Sequence, residues 1–224
     1  MILYGGIPGW FPLGFPCGGP NQIPELSRLQ IDVAPSSLVA FDQLSRVSDP
    51  KNTALHFYVH DRKFKNILVN PEKYVDKFAK YGALLTPDIT LGTEMPTWMR
   101  IQKTHLSRSV GAFFEQRQFT VIPSLRWVDL SDLDFVCEGV PRNSVIAVSG
   151  LGSFRDAKLK RVFEAGLQEV VARLEPSCIV IYGHVSCELL DSISKSTTLK
   201  NFHTATCSHC KADFAENIGL FDTN

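Results

Sequence analysis

The chain carries no surplus of charge: 23 Lys and Arg stand against 23 Asp and Glu in 224 residues. A zero balance gives no global attraction for nucleic acid or anionic lipid, which excludes a histone-like or polybasic binder but leaves room for a local basic groove. No run of about 18 apolar residues occurs, so nothing reads as a membrane span. There is no His-Glu-x-x-His string and no nucleophile elbow, and no spacing argues for a Ser/His/Asp triad. The glycine loop Ser149-Gly150-Leu151-Gly152-Ser153 lacks the third glycine of the dinucleotide fingerprint, Arg155 standing in its place, and it is not a P-loop.

Cysteines are few and mostly scattered: Cys17, Cys137, Cys178, Cys187, Cys207 and Cys210. Cys137 and Cys178 sit in or beside apolar runs and read as buried free thiols. The opening twenty residues are apolar, but they lack a positive start, and Pro8, Pro12 and Pro16 would break a helix. They do not read as a targeting segment, and a cytoplasmic protein is expected.

What is present is enough apolar residue for a sizeable core, 44% of the chain. Residues 1–35 are rich in Gly and Pro and read as an irregular arm packed on the domain. Residues 36–200 read as a single α/β domain, and 201–224 as a tail. Apolar runs at Leu38–Phe41, Leu55–Val59, Ala83–Thr86, Phe119–Pro123, Val145–Val148 and Cys178–Tyr182 alternate with helical periodicity. Asn70-Pro71-Glu72 is a helix start. A long helix is expected from about Thr97 to Gln116, with Met99, Leu106, Val110, Phe113 and Phe114 on one face. Another is expected from about Phe154 to Leu174, capped by Ser153, with Asp156 at the positive end of its dipole and Val162, Phe163, Gly166, Val170 and Leu174 buried.

Continuous apolar strands alternating with amphipathic helices imply a parallel sheet covered by helices. A compact or incomplete β/α barrel of about six to seven parallel strands fits the length, and an open doubly wound parallel sheet is the alternative. In either, the functional face lies at the strand carboxyl ends. Those ends carry Asp61, Asp88, Ser124, Arg126, Trp127, Ser149, Tyr182 and His184.

Asp88 follows Pro87 directly after an apolar strand, an environment that suits a nucleophile or general base, and Asp61 is the second candidate catalytic carboxylate. Against this, Asp88 can simply cap the turn that follows. Arg126 can clamp a carboxylate or phosphate and Trp127 can stack on a base or sugar, or the two can stack on each other to close a barrel mouth. Ser149, Gly150 and Gly152 join a strand to a helix start, where amides can meet an anion, although a tight turn explains them as well. Tyr182 and His184 complete the ligand-binding candidates.

The tail holds one Cys-x-x-Cys knuckle, Cys207 and Cys210, with His203 nearby. Zinc there would need a further ligand, and no cofactor is otherwise required.

The string from Phe57 to His184 resembles an uncharacterised family, a domain of unknown function carried by phages and mobile elements. The matching pieces include Phe57-Tyr58-Val59-His60-Asp61 with Phe64, and Asn70-Pro71-Glu72-Lys73-Tyr74. They continue with Leu85-Thr86-Pro87-Asp88, Arg108 with Gly111-Ala112, Val121-Ile122-Pro123 through Trp127, Glu138-Gly139-Val140-Pro141 and Ile181-Tyr182-Gly183. His60, Glu138 and His184 depart from the pattern. The resemblance implies a phage or plasmid origin and no particular reaction. Thr86-Pro87-Asp88 and Gly150-Leu151-Gly152-Ser153 are also similar to phage DNA-modifying barrels of the tRNA-guanine transglycosylase type, in which a carboxylate attacks the sugar and displaces a base. An enzyme acting on a nucleotide, nucleobase or nucleic acid is one expected function. A non-enzymatic phage protein that binds and inhibits a host protein through Trp10, Phe11 and Phe15 of the arm is the other.

Overall fold

The computed structural model describes residues 14–202. After a short antiparallel hairpin, β1 (Cys17–Gly18) with β2 (Ile23–Pro24), eight strands form two parallel sheets of four. The first sheet runs β3 (Ser37–Ala40), β4 (Thr53–His56), β5 (Ala83–Leu85), β6 (Val121–Ile122). The second runs β7 (Ser124–Leu125), β8 (Val145–Ser149), β9 (Cys178–Tyr182), β10 (Thr198–Phe202). Each sheet keeps chain order, without the reversal that defines a doubly wound sheet. Helices α1 (Lys65–Val69), α2 (Val75–Phe78), α3 (Thr97–Glu115), α4 (Leu133–Val136), α5 (Ala157–Leu174) and α6 (Cys187–Ile193) fill the crossovers.

One residue explains why there are two sheets. Pro123 has no backbone N–H, so it cannot donate to a ladder. Before it, Val121 and Ile122 pair with Leu84 and Leu85; after it, Ser124 and Leu125 pair with Ala147 and Val148. The Pro123 carbonyl accepts from Ala147 N at 2.8 Å, and Ser124 N donates sideways to Thr86 Oγ1 at 2.9 Å. The expected strand ending at Pro123 is therefore a seam, an edge of both sheets at once.

Side chains alternate across the strands, and each face finds its own core. Leu55, Leu84 and Val121 face an aromatic cluster with Phe41, Phe57, Phe64, Phe78, Phe113 and Phe114. Ile146, Val148, Ile179 and Ile181 face an aliphatic cluster with Leu133, Leu167, Val170 and Leu174. The alternate residues of both sheets, Ala54, Leu85, Ile122, Ala147, Cys178 and Val180 among them, meet in one shared cluster. At the far edge Lys200 of β10 reaches the segment before β3, donating to the carbonyls of Ala34 (2.8 Å) and Pro35 (3.2 Å). No ladder joins β3 to β10 among the described residues. The fold is thus α/β with two four-stranded parallel sheets.

The long helices form where the periodicity places them, with one correction. The last long helix begins at Ala157 rather than Phe154, and its cap is Asp156, not Ser153. Asp156 Oδ1 accepts from Lys158 N and Leu159 N, both at 2.9 Å, whereas Ser153 N closes a turn onto Gly150 O. The buried stripe of that helix is Phe163, Gly166, Leu167, Val170 and Leu174, with Val162 half-buried. The described part of the arm lies on the domain: Leu26 N donates to Gly139 O and Ser27 N to Glu115. Among the described residues, no helix is long and apolar enough to cross a membrane.

Candidate functional site

Asp88 leaves the end of β5 in the first sheet, and Arg126 leaves β7 in the second. The seam brings them together, with Arg126 Nη1 donating to Asp88 Oδ2 at 2.8 Å. Asp88 is buried, and burial pushes its carboxyl above the usual carboxylate range, with the Arg126 guanidinium pulling the other way and the Asp61 charge adding to the rise. Among the described residues the hydrogen bond that the Asp88 side chain accepts comes from Arg126 and not from an amide of its own turn.

The pair sits in the wall of a cleft of about 580 Å³ at the strand carboxyl ends. Trp127, Ser149 and Gly152 line the same cleft. Four cations face it, Arg100, Arg126, Arg155 and Lys158, opposite Asp88, Glu94, Asp129 and Asp156. The acids are largely occupied: Asp129 accepts from Ser131 N and Oγ, Asp156 caps α5, and Asp88 holds Arg126. Arg100 is buried beside Asp132, their Nε and Oδ1 atoms 3.1 Å apart. Arg155 and Lys158 are exposed and make no ion pair among the described residues, so these two cations are open to a ligand although the four cations and four acids of the lining balance.

The other sequence candidates fall into distinct places. Trp127 is buried, stacks on Phe163 with ring centroids 5.5 Å apart, and donates its indole N–H to Val162 O. Gly166 makes that possible, because a Cβ there would collide with the indole. Gly150 is required by packing too: a Cβ would strike the carbonyl of His184. The amides of Gly150, Leu151 and Ser153 are taken up by Tyr182 O, Ser149 Oγ and Gly150 O. Asp61 fastens a loop, accepting from Thr90 N and Thr90 Oγ1, and lines a neighbouring groove of about 350 Å³ rather than the main cleft. His184 is exposed against Phe154.

Tyr182 belongs to an aromatic stack over the shared interior. Its ring lies 5.0 Å from that of Tyr58 and 4.4 Å from that of His56. His56 Nδ1 accepts from Tyr58 N at 3.1 Å, and burial lowers the imidazole pKa to about 4, so the ring is neutral. Tyr58 hydroxyl shares a hydrogen bond with Ser124 Oγ (3.0 Å), and burial, then the Asp88 charge, pushes the phenol well above its ordinary value. Sequence reasoning did not single out His56, Arg100, Arg155 or Lys158. The last three come from helix starts and a loop rather than strand ends.

Behind the ion pair lies Arg108 of α3, 1% exposed, with no acidic partner within ion-pair distance among the described residues. Its guanidinium donates only to carbonyls, Val136 O at 2.9 Å and Ser124 O at 3.4 Å. No group of three metal-ligating side chains converges among the described residues, and His203, Cys207 and Cys210 lie outside them.

Comparison with known proteins agrees with a phage connection. The chain is 33% identical over 175 residues to the Gene 1 protein of Mycobacterium phage L5, covering 76% of this chain and 75% of that protein. To the Gene 1 protein of Mycobacterium phage D29 it is 29% identical over 174 residues, covering 76% of this chain and 63% of that one. No solved structure matches the chain. The family model for a domain of unknown function, DUF4417, matches residues 15–202, nearly the whole of the described fold, and the chain belongs to that family.

Proposed function

We propose that the protein is an enzyme acting on a nucleotide, nucleobase or nucleic acid, working in the seam cleft with Asp88 as nucleophile or general base. The observation that carries this reading is the buried Asp88–Arg126 pair in the wall of a cleft lined also by two cations, Arg155 and Lys158, that make no ion pair among the described residues. A cleft of about 580 Å³ falls in the range of small-ligand sites, and Arg155 and Lys158 suit a phosphate. Burial raises the affinity of Asp88 for a proton while Arg126 fixes one of its oxygens, which is how a carboxylate is tuned and aimed for proton transfer or attack.

For chemistry of the transglycosylase type, an Asp88 oxygen would bond to the anomeric carbon as the glycosidic bond breaks. The base leaves with that electron pair and takes up a proton. An incoming base or water then opens the ester and returns the carboxylate. In this reading the two sheets, which share one interior cluster, are halves of an incomplete barrel whose mouth is the cleft. The bacterial cytoplasm during phage infection is its place of action, in keeping with the phage relatives. A second reading, contact with a host protein, finds Phe15 of the arm packed against the first core and Trp10 and Phe11 outside the described residues, and has in its favour Trp98, 63% exposed at the start of α3.

The test is to incubate the protein with nucleotides, single- and double-stranded DNA, and RNA, and to follow free base by mass spectrometry. Base release from at least one of these is expected. No release from any of them, with no incorporation of an added free base, sinks the enzymatic reading.

A further inference from the structure

We infer that the small cavity between Arg108 and Arg126 is a binding site for one monovalent anion of halide size. The cavity measures about 20 Å³, and Asp88, Lys103, Ser107, Arg108, Ser124 and Arg126 are among the residues that line it. Roughly 10–15 Å³ is enough for a single water, so the space suits one small particle. It is distinct from the large cleft, shares with it the wall formed by Asp88, Leu91 and Arg126, and stands independently of the reaction proposed above.

Two observations ask for an anion rather than a neutral occupant. The Nε–H groups of both Arg108 and Arg126 are buried without a hydrogen-bond partner among the described residues. A buried donor left unmade is costly, and a charged one more so. The second is the charge count of the walls. Arg108 and Arg126 face a single carboxylate, Asp88, which leaves one positive charge in excess before the half-buried Lys103 is added. Among the described residues Arg108 has no counter-ion of its own, and its guanidinium donates to the Val136 and Ser124 carbonyls. Burial lowers its pKa only to about 10, so it stays charged at neutral pH. Nearby hydroxyls are already engaged, Ser107 Oγ donating to Pro87 O and Ser124 Oγ bonded to Tyr58. A water could accept from a guanidinium but would leave the charge uncompensated. A chloride can accept from both Nε–H groups and brings the arginine–aspartate set to neutrality.

Two measurements on the full chain test this. Crystals grown or soaked in bromide should show an anomalous peak within hydrogen-bond reach of Arg108 Nε and Arg126 Nε. In solution, the thermal midpoint should rise with chloride or bromide at fixed ionic strength made up with sulfate, and Arg108→Met should abolish that response. If Arg108→Met does not fold, the bromide experiment on the unaltered protein decides. A peak in the cavity supports the site. A cavity without a peak, or a halide response that a folded Arg108→Met variant keeps unchanged, overturns it.

Discussion

The two halves of the molecule solve the same packing problem differently. In the second, five-residue strands β8, β9 and β10 run beside an 18-residue helix, and the outer core is chiefly aliphatic. In the first, strands of two to four residues are covered by short helical turns and by α3, and phenylalanines fill the space that regular helices would. Phe41, Phe57, Phe64 and Phe78 interlock there, with ring centroids 5.1–6.5 Å apart. The longer strands thus belong to one half, while the other joins short strands and irregular chain to the 19-residue α3. The polar apparatus lies on neither but at the seam, where Pro123 ends one ladder and starts the next. A place where strands change partners leaves backbone groups and side chains that no ladder claims, and the protein fills it with Asp88, Arg108, Ser124 and Arg126.

If the halves are distinct only in packing style, they should still unfold together, because both line one interior cluster. Phe57→Ala in the first half and Phe163→Ala in the second should each cost roughly 3–5 kcal/mol. Both should shift one transition seen identically by near-UV and far-UV circular dichroism. Two transitions, of which each variant moves only one, would break the comparison by making the halves separate cooperative units.

A smaller effect tests the stack that joins them, where His56 of β4 meets Tyr182 of β9. The folded imidazole titrates near 4, against 6.5 when unfolded. Between these values the unfolded chain binds a proton that the native state refuses, so stability falls as pH drops through this window, by about 3 kcal/mol in all. Asp88 has the opposite sign: its folded pKa is raised, so its contribution is present below the ordinary carboxylate range and is lost as pH rises. Denaturant unfolding at pH 7 and pH 4.5 should show a loss at the lower pH that His56→Asn greatly reduces. An equal loss in that variant would place the sensitivity elsewhere.

The smallest expected effect lies within the second half. Gly166→Ala puts a methyl where the Trp127 indole crosses α5, and overpacking of this kind costs typically 1–3 kcal/mol. Tryptophan emission should shift red as the ring is displaced. An unchanged spectrum and midpoint would mean that the indole has room to spare.

These differences also explain what the sequence could and could not disclose. The aliphatic strands and the stripe of α5 were legible because burial on one or both sides imposes a period that survives in the letters. β10 was not: Thr198, Lys200 and Asn201 lie on an edge, where only one side needs an apolar residue, and Lys200 spends its ammonium on Ala34 and Pro35. The cap of α5 was misplaced because Ser153 and Asp156 are both capping residues, and only the turn from Gly150 to Ser153 chooses between them. Asp88 and Arg126 could each be assigned to a strand end, but their pairing depends on which strands the seam joins. Arg108 was legible only as part of a shared string, since nothing in a helix sequence distinguishes a fully buried arginine from a solvated one.

If the seam pair is a functional device and not only a structural tie, removing its negative charge must cost activity. Asp88→Asn is the most direct test, because it keeps the shape of the side chain and an oxygen for Arg126 while removing the charge. A folded protein with the near-UV spectrum unchanged is expected, with base release reduced at least about a hundredfold, the scale on which losing a catalytic group is felt. A variant that folds and turns over substrate at the unaltered rate would contradict it, and would leave Asp88 as no more than the partner that holds Arg126 in place.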